Sequence, residues 1–393
     1  MDSPSPINPN KPYATSPIGF VQTRYVTFEE GLTLECGEVL APLTLAYETY
    51  GALNEDKTNA IVIEHALTGD AHVAGIYTNQ DKKPGWWEDM VGPDKAFDTN
   101  KYFIICSNIL GGCKGSTGPS SINPKTNKPY GLSFPAITIS DMVNAQIKLL
   151  DYLGISKVLS VAGGSMGGMQ ALDWFIRHPE RIHSAIPIAT TVIHSPQQIA
   201  FNEVGRQAIM SDPEWNEGNY YETGQPAKGL AVARMLGHIT YMSDVSMKEK
   251  FGRETRKADK PFKFTAEFEV ESYLHYNGGT FVNRFDANTY LYITKAMDMY
   301  DPTGGKKLAE VLKGNSAKLL VISFESDWLY PTYQSLDIIR ACKAAGVDVS
   351  FMEIESTYGH DAFLIEFDDQ ARLIKNFLKR VTEMTRKGDG YEI

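Results

Sequence analysis

The sequence predicts an α/β fold with a mostly parallel sheet, interrupted by a helical insertion over residues 195–301. Three observations carry this. Short apolar runs such as Ala60-Ile61-Val62-Ile63 and Leu319-Leu320-Val321-Ile322 alternate with helix-like stretches, as strands buried on both faces do. One such run, Val158-Leu159-Ser160-Val161-Ala162, leads directly into Gly163-Gly164-Ser165-Met166-Gly167-Gly168. The alternation stops near Ser195 and returns at Lys318.

The elements follow in order. Residues 1–24, rich in Pro, Ser and Asn at the start, read as an extended arm. Strand-like runs lie around Val21–Thr27, Leu32–Glu35 and Leu43–Tyr50. Asn59–Glu64 is a strand that enters His65-Ala66-Leu67-Thr68-Gly69, and Lys101–Cys106 is another, followed by a glycine-rich loop over Gly111–Gly118. Ser140 is placed to cap a helix over Asp141–Tyr152, with Val143, Ile147 and Leu150 on one face and Gly154 as its stop. After the Ser165 turn, Met169–Ile176 reads as helix and closes at His178-Pro179, because the residue before a proline disfavours the helical region. These elements make up a first core segment, residues 25–194.

The insertion is rich in Tyr and Met. Its helical stretches are Gln197–Met210, Lys228–Met242, Glu267–Tyr276 and Asn288–Tyr300. A second core segment, residues 302–393, holds strands at Lys318–Phe324 and Val347–Ile354 and a last helix at Ala362–Thr382. The insertion is expected to cover the carboxyl edge of the sheet.

Composition narrows the class. The 393 residues are 42% hydrophobic, which suits a folded globular chain. A net charge of -10 without a dense basic run argues against a nucleic-acid partner. No signal-peptide core is evident, and no apolar stretch approaches the ~20 residues of a membrane span. Cys36, Cys106, Cys113 and Cys342 are scattered, so neither a zinc site nor a disulfide framework is expected. A reduced, cytoplasmic setting is the simplest reading.

Chemistry starts at Ser165. A buried strand running into Gly-x-Ser-x-Gly is a nucleophile elbow. The turn is tight enough to need small residues on both sides of the serine. The following helix turns its positive end toward the reacting centre. A serine hydroxyl is a poor nucleophile until a base takes its proton, and that base needs an orienting carboxylate. The expected chain order is Ser, Asp or Glu, His, each at a strand end. His360, in Gly359-His360-Asp361-Ala362-Phe363, follows the last strand; no other histidine has that placement. Asp327 ends the penultimate strand and precedes Trp328-Leu329-Tyr330-Pro331, with Glu325 as the rival. The oxyanion hole needs two backbone N–H donors. Met166, directly after the serine, supplies one. Leu67, in the glycine-bearing loop after an early strand, supplies the other.

Five motifs now combine: His65-Ala66-Leu67-Thr68-Gly69, Lys83-Pro84-Gly85-Trp86-Trp87, Gly111-Gly112-Cys113-Lys114-Gly115-Ser116-Thr117-Gly118-Pro119, the elbow, and Gly359-His360-Asp361-Ala362-Phe363. In this order they resemble the homoserine O-acetyltransferase family of the α/β-hydrolase superfamily, over about Tyr25 to Leu378. The resemblance implies an α/β-hydrolase fold with a helical lid, pairing of two copies through that lid, and a place in methionine biosynthesis. It implies acetyl-CoA as co-substrate, with no resident cofactor or metal, and L-homoserine as acceptor, acylated through a Ser165 ester. It also implies Arg234, in Ala233-Arg234-Met235-Leu236-Gly237-His238, for the substrate carboxylate and Asp361 for its ammonium. Arg206 is a second candidate for the same pocket.

The alternatives are a succinyl-CoA user, a serine O-acyltransferase, an esterase of the same fold, and a catalytically dead binding module. The lid and the Arg–Asp pair favour transfer, which requires water to be kept from the acyl-enzyme. The complete Ser165, Asp327, His360 set argues against a dead module. The absence of an extra arginine in the Leu67 and Lys114 loops favours acetyl over succinyl.

Overall fold

A computed structural model describes residues 14–255 and 264–388. Residues 1–13 of the predicted arm lie outside the described residues. The remainder of the arm runs over the loop that follows the first core strands, with Val21 donating its amide to Ile76 O at 2.9 Å.

Eight strands form one sheet: β1 (Arg24–Phe28), β2 (Leu43–Tyr50), β3 (Ala60–Glu64), β4 (Phe103–Ser107), β5 (Ser160–Gly164), β6 (Ser184–Ile188), β7 (Lys318–Phe324) and β8 (Val349–Ile354). Their spatial order is β1-β2-β4-β3-β5-β6-β7-β8. β2 runs antiparallel to β1 and β4, and the remaining pairs are parallel. Strand periodicity explains the apolar runs. Ala60 and Val62 of β3 enter one core, while Ile61 and Ile63 enter the other. On β7, Leu319 and Val321 face the first core and Leu320, Ile322 and Phe324 the second. With both faces covered, Ala60–Ile63 and Leu319–Ile322 are apolar at every position, and each fully buried Leu or Ile contributes about 1.5–3 kcal/mol.

The first core is closed by α1 (Ile139–Tyr152), α2 (Met166–Arg177) and α8 (Thr332–Ala345), which follows the insertion. The last helix, α9 (Phe367–Gly388), presents Ile374, Phe377, Leu378 and Val381 to the second core at helical spacing. Ser140 does not cap α1. Thr138 does, in a capping box with Asp141, and Ser140 instead donates to Asp173 Oδ1 at 2.8 Å. The earlier start wins because Thr138 is extended and its hydroxyl accepts the Asp141 amide. β6 and α8 were not foreseen. Pro187 disguises β6, since a proline argues against a central strand, yet it pairs opposite Gly163 within a fully buried strand.

Between β6 and β7 the described residues form five helices of eight residues or more, α3 (Pro196–Met210), α4 (Ala227–Tyr241), α5 (Asp244–Phe251), α6 (Glu269–Val282) and α7 (Ala287–Asp298), and a four-residue helix at Leu308–Val311. α4 packs against both α3 and α6. Ser195 caps α3 in a capping box with Gln198, so the helical texture begins where the sequence changes character. α5 was not anticipated; its charged, short sequence carries little apolar periodicity.

Candidate active site

Ser165 stands at φ 58°, ψ −122°, between β5 and α2. This strained conformation is typical of elbows and needs neighbours that over-determine it. They do so by crowding. A Cβ on Gly164 would lie 2.4 Å from the Phe363 ring, and one on Gly167 would lie 2.1 Å from Glu64 O. The Ser165 amide donates to Ile188 O at 2.9 Å, tying the elbow to β6.

Asp327 lies in the turn after β7, and its side chain is fully buried. Its Oδ1 accepts the amides of Leu329 (3.0 Å) and Tyr330 (2.8 Å). Its Oδ2 lies 2.8 Å from His360 Nδ1. The carboxylate is thus fixed by backbone donors on one oxygen and faces the imidazole with the other, leaving Nε2 for proton transfer. Glu325 is absent from this pair. The structure brings Ser165, His360, Leu67, Arg234 and Asp361 to one cavity of about 850 Å³.

Met166 is the first residue of α2, so its amide precedes the helix's own hydrogen-bond ladder. Leu67 sits in a turn closed by the Gly69 amide on Ala66 O, at 2.9 Å. That turn is braced by His65. Its Nδ1 meets Ala66 O at 2.8 Å, and its Nε2 lies 3.2 Å from both the Ile109 amide and Asn108 Nδ2. An imidazole with an acceptor at one nitrogen and donors at the other is neutral, and burial holds its pKa low. Beneath the loop, Glu64 accepts from Gln146 (2.6 Å) and Trp174 (3.1 Å), and burial pushes its carboxyl up to about 8.

The opposite wall comes from the insertion. Arg234 on α4 packs its guanidinium 4.9 Å from the Phe281 ring centroid and 5.8 Å from that of Tyr241. Among the described residues it pairs with no carboxylate within 4 Å; its polar contact is a 3.5 Å bond to Thr68 Oγ1. Burial pushes the Asp361 carboxyl up to about 6, with the charges of His360, Arg234 and Lys250 pulling the other way. The wall is cationic: His238 is pushed down to about 3 by burial and by Arg234, Lys250 and Arg284. Two anchors join it to the catalytic turns. Trp328 Nε1 donates to Met242 O at 3.0 Å, and the Ser243 hydroxyl donates to Thr357 O.

Arg206 is not part of this pocket. It turns inward, where its buried guanidinium is paired with the Asp298 carboxylate on α7 at 2.7 Å and with Glu203 at 2.9 Å, as a buried charge requires. Sequence reasoning missed Tyr241, whose ring lies 5.9 Å from that of His360, and Tyr330, at 5.1 Å. Signals existed for both. Tyr241 follows Arg234 by two helical turns, and Tyr330 lies three residues past Asp327. Among the described residues no cluster could hold a metal ion, and no helix is long and apolar enough to cross a membrane.

Serine, acid and histidine on the ends of β5, β7 and β8 define an enzyme of the α/β-hydrolase fold. A family model of that description matches residues 59–367. A homoserine O-acetyltransferase of Methanohalobium evestigatum is 61% identical over 362 residues, covering 92% of this chain and 74% of the relative. Among solved structures, homoserine O-acetyltransferase from Bacillus anthracis superposes with a TM-score of 0.86 at 30% identity, covering 91% of this chain and 98% of that one. Esterase E22 superposes with a TM-score of 0.85 at 31% identity, covering 91% and 100%. The chain belongs to the homoserine O-acetyltransferase family of acyltransferases.

Proposed function

We propose that this chain moves an acetyl group from acetyl-CoA to the hydroxyl of L-homoserine through a Ser165 ester. The observation that carries the reading is the shared cavity, with the triad and Asp361 on the sheet side and Arg234 on the wall from the insertion. A guanidinium and a carboxylate match the two charges of an amino acid. In the first half-reaction His360 Nε2 takes the Ser165 proton as Oγ attacks the thioester carbonyl. The oxyanion is held by the Leu67 and Met166 amides. Collapse breaks the C–S bond, and the thiolate leaves with the proton from His360. In the second, the homoserine hydroxyl attacks the serine ester, gives its proton to His360, and Ser165 recovers it as O-acetylhomoserine departs. The helical wall limits the access of water to the ester between the two steps.

Two further readings each have an observation behind them. The likeness to esterase E22 supports hydrolysis. Arg284, on the cavity wall with Nη1 3.1 Å from Thr68 O, supports a succinyl donor. Thiol release from acetyl-CoA and succinyl-CoA, with and without L-homoserine or L-serine, separates all three. CoA release that requires homoserine, with O-acetylhomoserine formed, supports the transferase; acetate formed regardless of acceptor supports the hydrolase.

The protein is also proposed to pair through the insertion. Val232 and Ile239, two turns apart on α4, and Val204 on α3 are 47%, 42% and 55% exposed, an apolar surface a second copy would cover. The four cysteines are free, which supports a reduced, cytoplasmic setting. Sedimentation of the purified chain tests the pairing.

A further inference from the structure

The loop that carries Leu67 is held from the insertion as well as from the sheet. Arg284 lies in the link between α6 and α7. Its amide donates to Phe281 O at 3.0 Å, and the next side chain, Phe285, is buried in the first core. The Arg284 side chain lines the cavity, and its Nη1 donates to Thr68 O at 3.1 Å. Arg234 meets the same residue at its hydroxyl, 3.5 Å from Thr68 Oγ1.

The Thr68 carbonyl is one end of a continuous line of peptide groups. A peptide group is planar, and in its trans form the C=O and the N–H point in opposite directions. The peptides at 66–67 and 68–69 are both trans. Thr68 O shares its plane with the Gly69 amide, and that amide donates to Ala66 O at 2.9 Å. Ala66 O, met also by His65 Nδ1 at 2.8 Å, shares its plane with the Leu67 amide. Among the described residues the Leu67 amide donates to no backbone carbonyl, and Leu67 lines the cavity that Ser165 also lines. The line thus runs from the guanidinium to Thr68 C=O, from Gly69 N–H to Ala66 C=O, and ends on the Leu67 N–H. Every dipole has the same sense, with a fixed positive charge at one end and an open donor at the other. An arginine keeps its charge at all working pH values, and hydrogen bonds in such a line polarise one another.

We propose that Arg284 is a positioning residue for the oxyanion hole, setting the direction and the donor strength of the Leu67 amide through the 68–69 and 66–67 peptides. A donor aimed in advance at the developing charge is what the acylation step requires. The proposal rests on the reading of Leu67 as an oxyanion donor and of Ser165 as the nucleophile, and on no choice of acyl donor or acceptor. It brings the insertion into the chemical step itself.

Acylation is therefore read on the full chain with p-nitrophenyl acetate, which offers Arg284 no carboxylate or phosphate to bind. Ser165 Oγ attacks the acetyl carbonyl and p-nitrophenolate leaves; the burst and the acetyl mass increment follow the step. Arg284→Met is expected to slow the burst about fivefold, the scale of one net hydrogen bond, with the ester concentration for half-maximal rate unchanged. Arg284→Lys, which keeps a charged donor, is expected to recover part of the loss. Leu67→Pro removes the amide hydrogen at the second position of the turn, where proline fits. It is expected to slow the burst more than Arg284→Met does, and the double variant no further. A wild-type burst in Arg284→Met overturns the proposal, even where that variant loses the use of succinyl-CoA. So does a double variant that loses the product of the two factors. If Leu67→Pro melts early, the Met and Lys variants at Arg284 decide alone. A wild-type burst in Leu67→Pro would instead overturn the oxyanion reading itself, which separates the two failures.

Discussion

The sheet side and the helical side of the cavity are held in different ways. On the sheet side, backbone geometry decides position. Ser165 is pinned by the crowding of Gly164 and Gly167 and by its amide bond to Ile188, Asp327 by two amides, and the Leu67 turn by His65. On the helical side, the groups are long side chains set by packing: Arg234 rests on Phe281 and Tyr241 and pairs with no carboxylate among the described residues. On the proposed reading, the chemistry sits on parts fixed by backbone contacts, and Arg234 sits on a wall that relatives of the same fold could change without touching the triad. Esterase and transferase neighbours of nearly equal TM-score fit that division.

The comparison breaks most sharply at the nucleophile. Ser165→Ala and His360→Ala should each lower turnover by about 10⁴-fold or more while the melting curve stays that of the wild type, as stopped-flow CoA release and calorimetry would record. Next, Gly167→Ala should prevent normal folding, because its Cβ would meet Glu64 O at 2.1 Å in a turn that cannot widen. A soluble, fully active Gly167→Ala protein would show that the sheet side is less rigid than described.

The two groups proposed to hold the acceptor, Arg234 on the helical side and Asp361 beside His360, should respond differently. Arg234→Ala is expected to raise KM for homoserine by about 10–100-fold, from a lost charge-assisted hydrogen bond, while the burst of acylation persists. Equal loss of acylation would place Arg234 with the chemistry. The pH dependence is gentler. The Asp361 carboxyl is ionised above about 6 and neutral below it. KM for homoserine should therefore rise as pH falls through about 6. Asp361→Asn should hold KM high and flat across that range.

The smallest effect concerns Glu64. Its carboxyl keeps its proton up to about 8 in the folded chain but releases it near 4.3 when unfolded. The folded state binds the extra proton, so this group's contribution to stability is complete below about 4.3 and is lost as pH rises through about 8. Glu64→Gln should flatten the melting temperature across that window.

The same division explains what could be read beforehand. β3 and β7 were legible because burial on both faces leaves the apolar runs Ala60–Ile63 and Leu319–Ile322 with nothing to disguise them. The triad was legible because elbow, acid and histidine each sit at a strand end in fixed chain order. β6 was hidden by Pro187, and Ser140 drew attention from Thr138, two residues earlier. His194 and Arg206 could not be assigned, since their partner Asp298 lies about a hundred residues away and only packing of α3 against α7 brings them together. Arg234 and Asp361 entered through resemblance, because nothing local marks an arginine on a helix as a ligand.

One contact bears on how molecules enter and leave. Gly359, beside His360, stands at φ +71°, and a Cβ there would lie 2.5 Å from Ser243 N, in the joint between α4 and α5. The Trp328 indole bonds Met242 O and the Ser243 hydroxyl bonds Thr357 O, so the insertion is tied to both the Asp327 turn and the segment before His360. Any outward movement of this joint would have to break both hydrogen bonds and would act directly on the turns that carry Asp327 and His360.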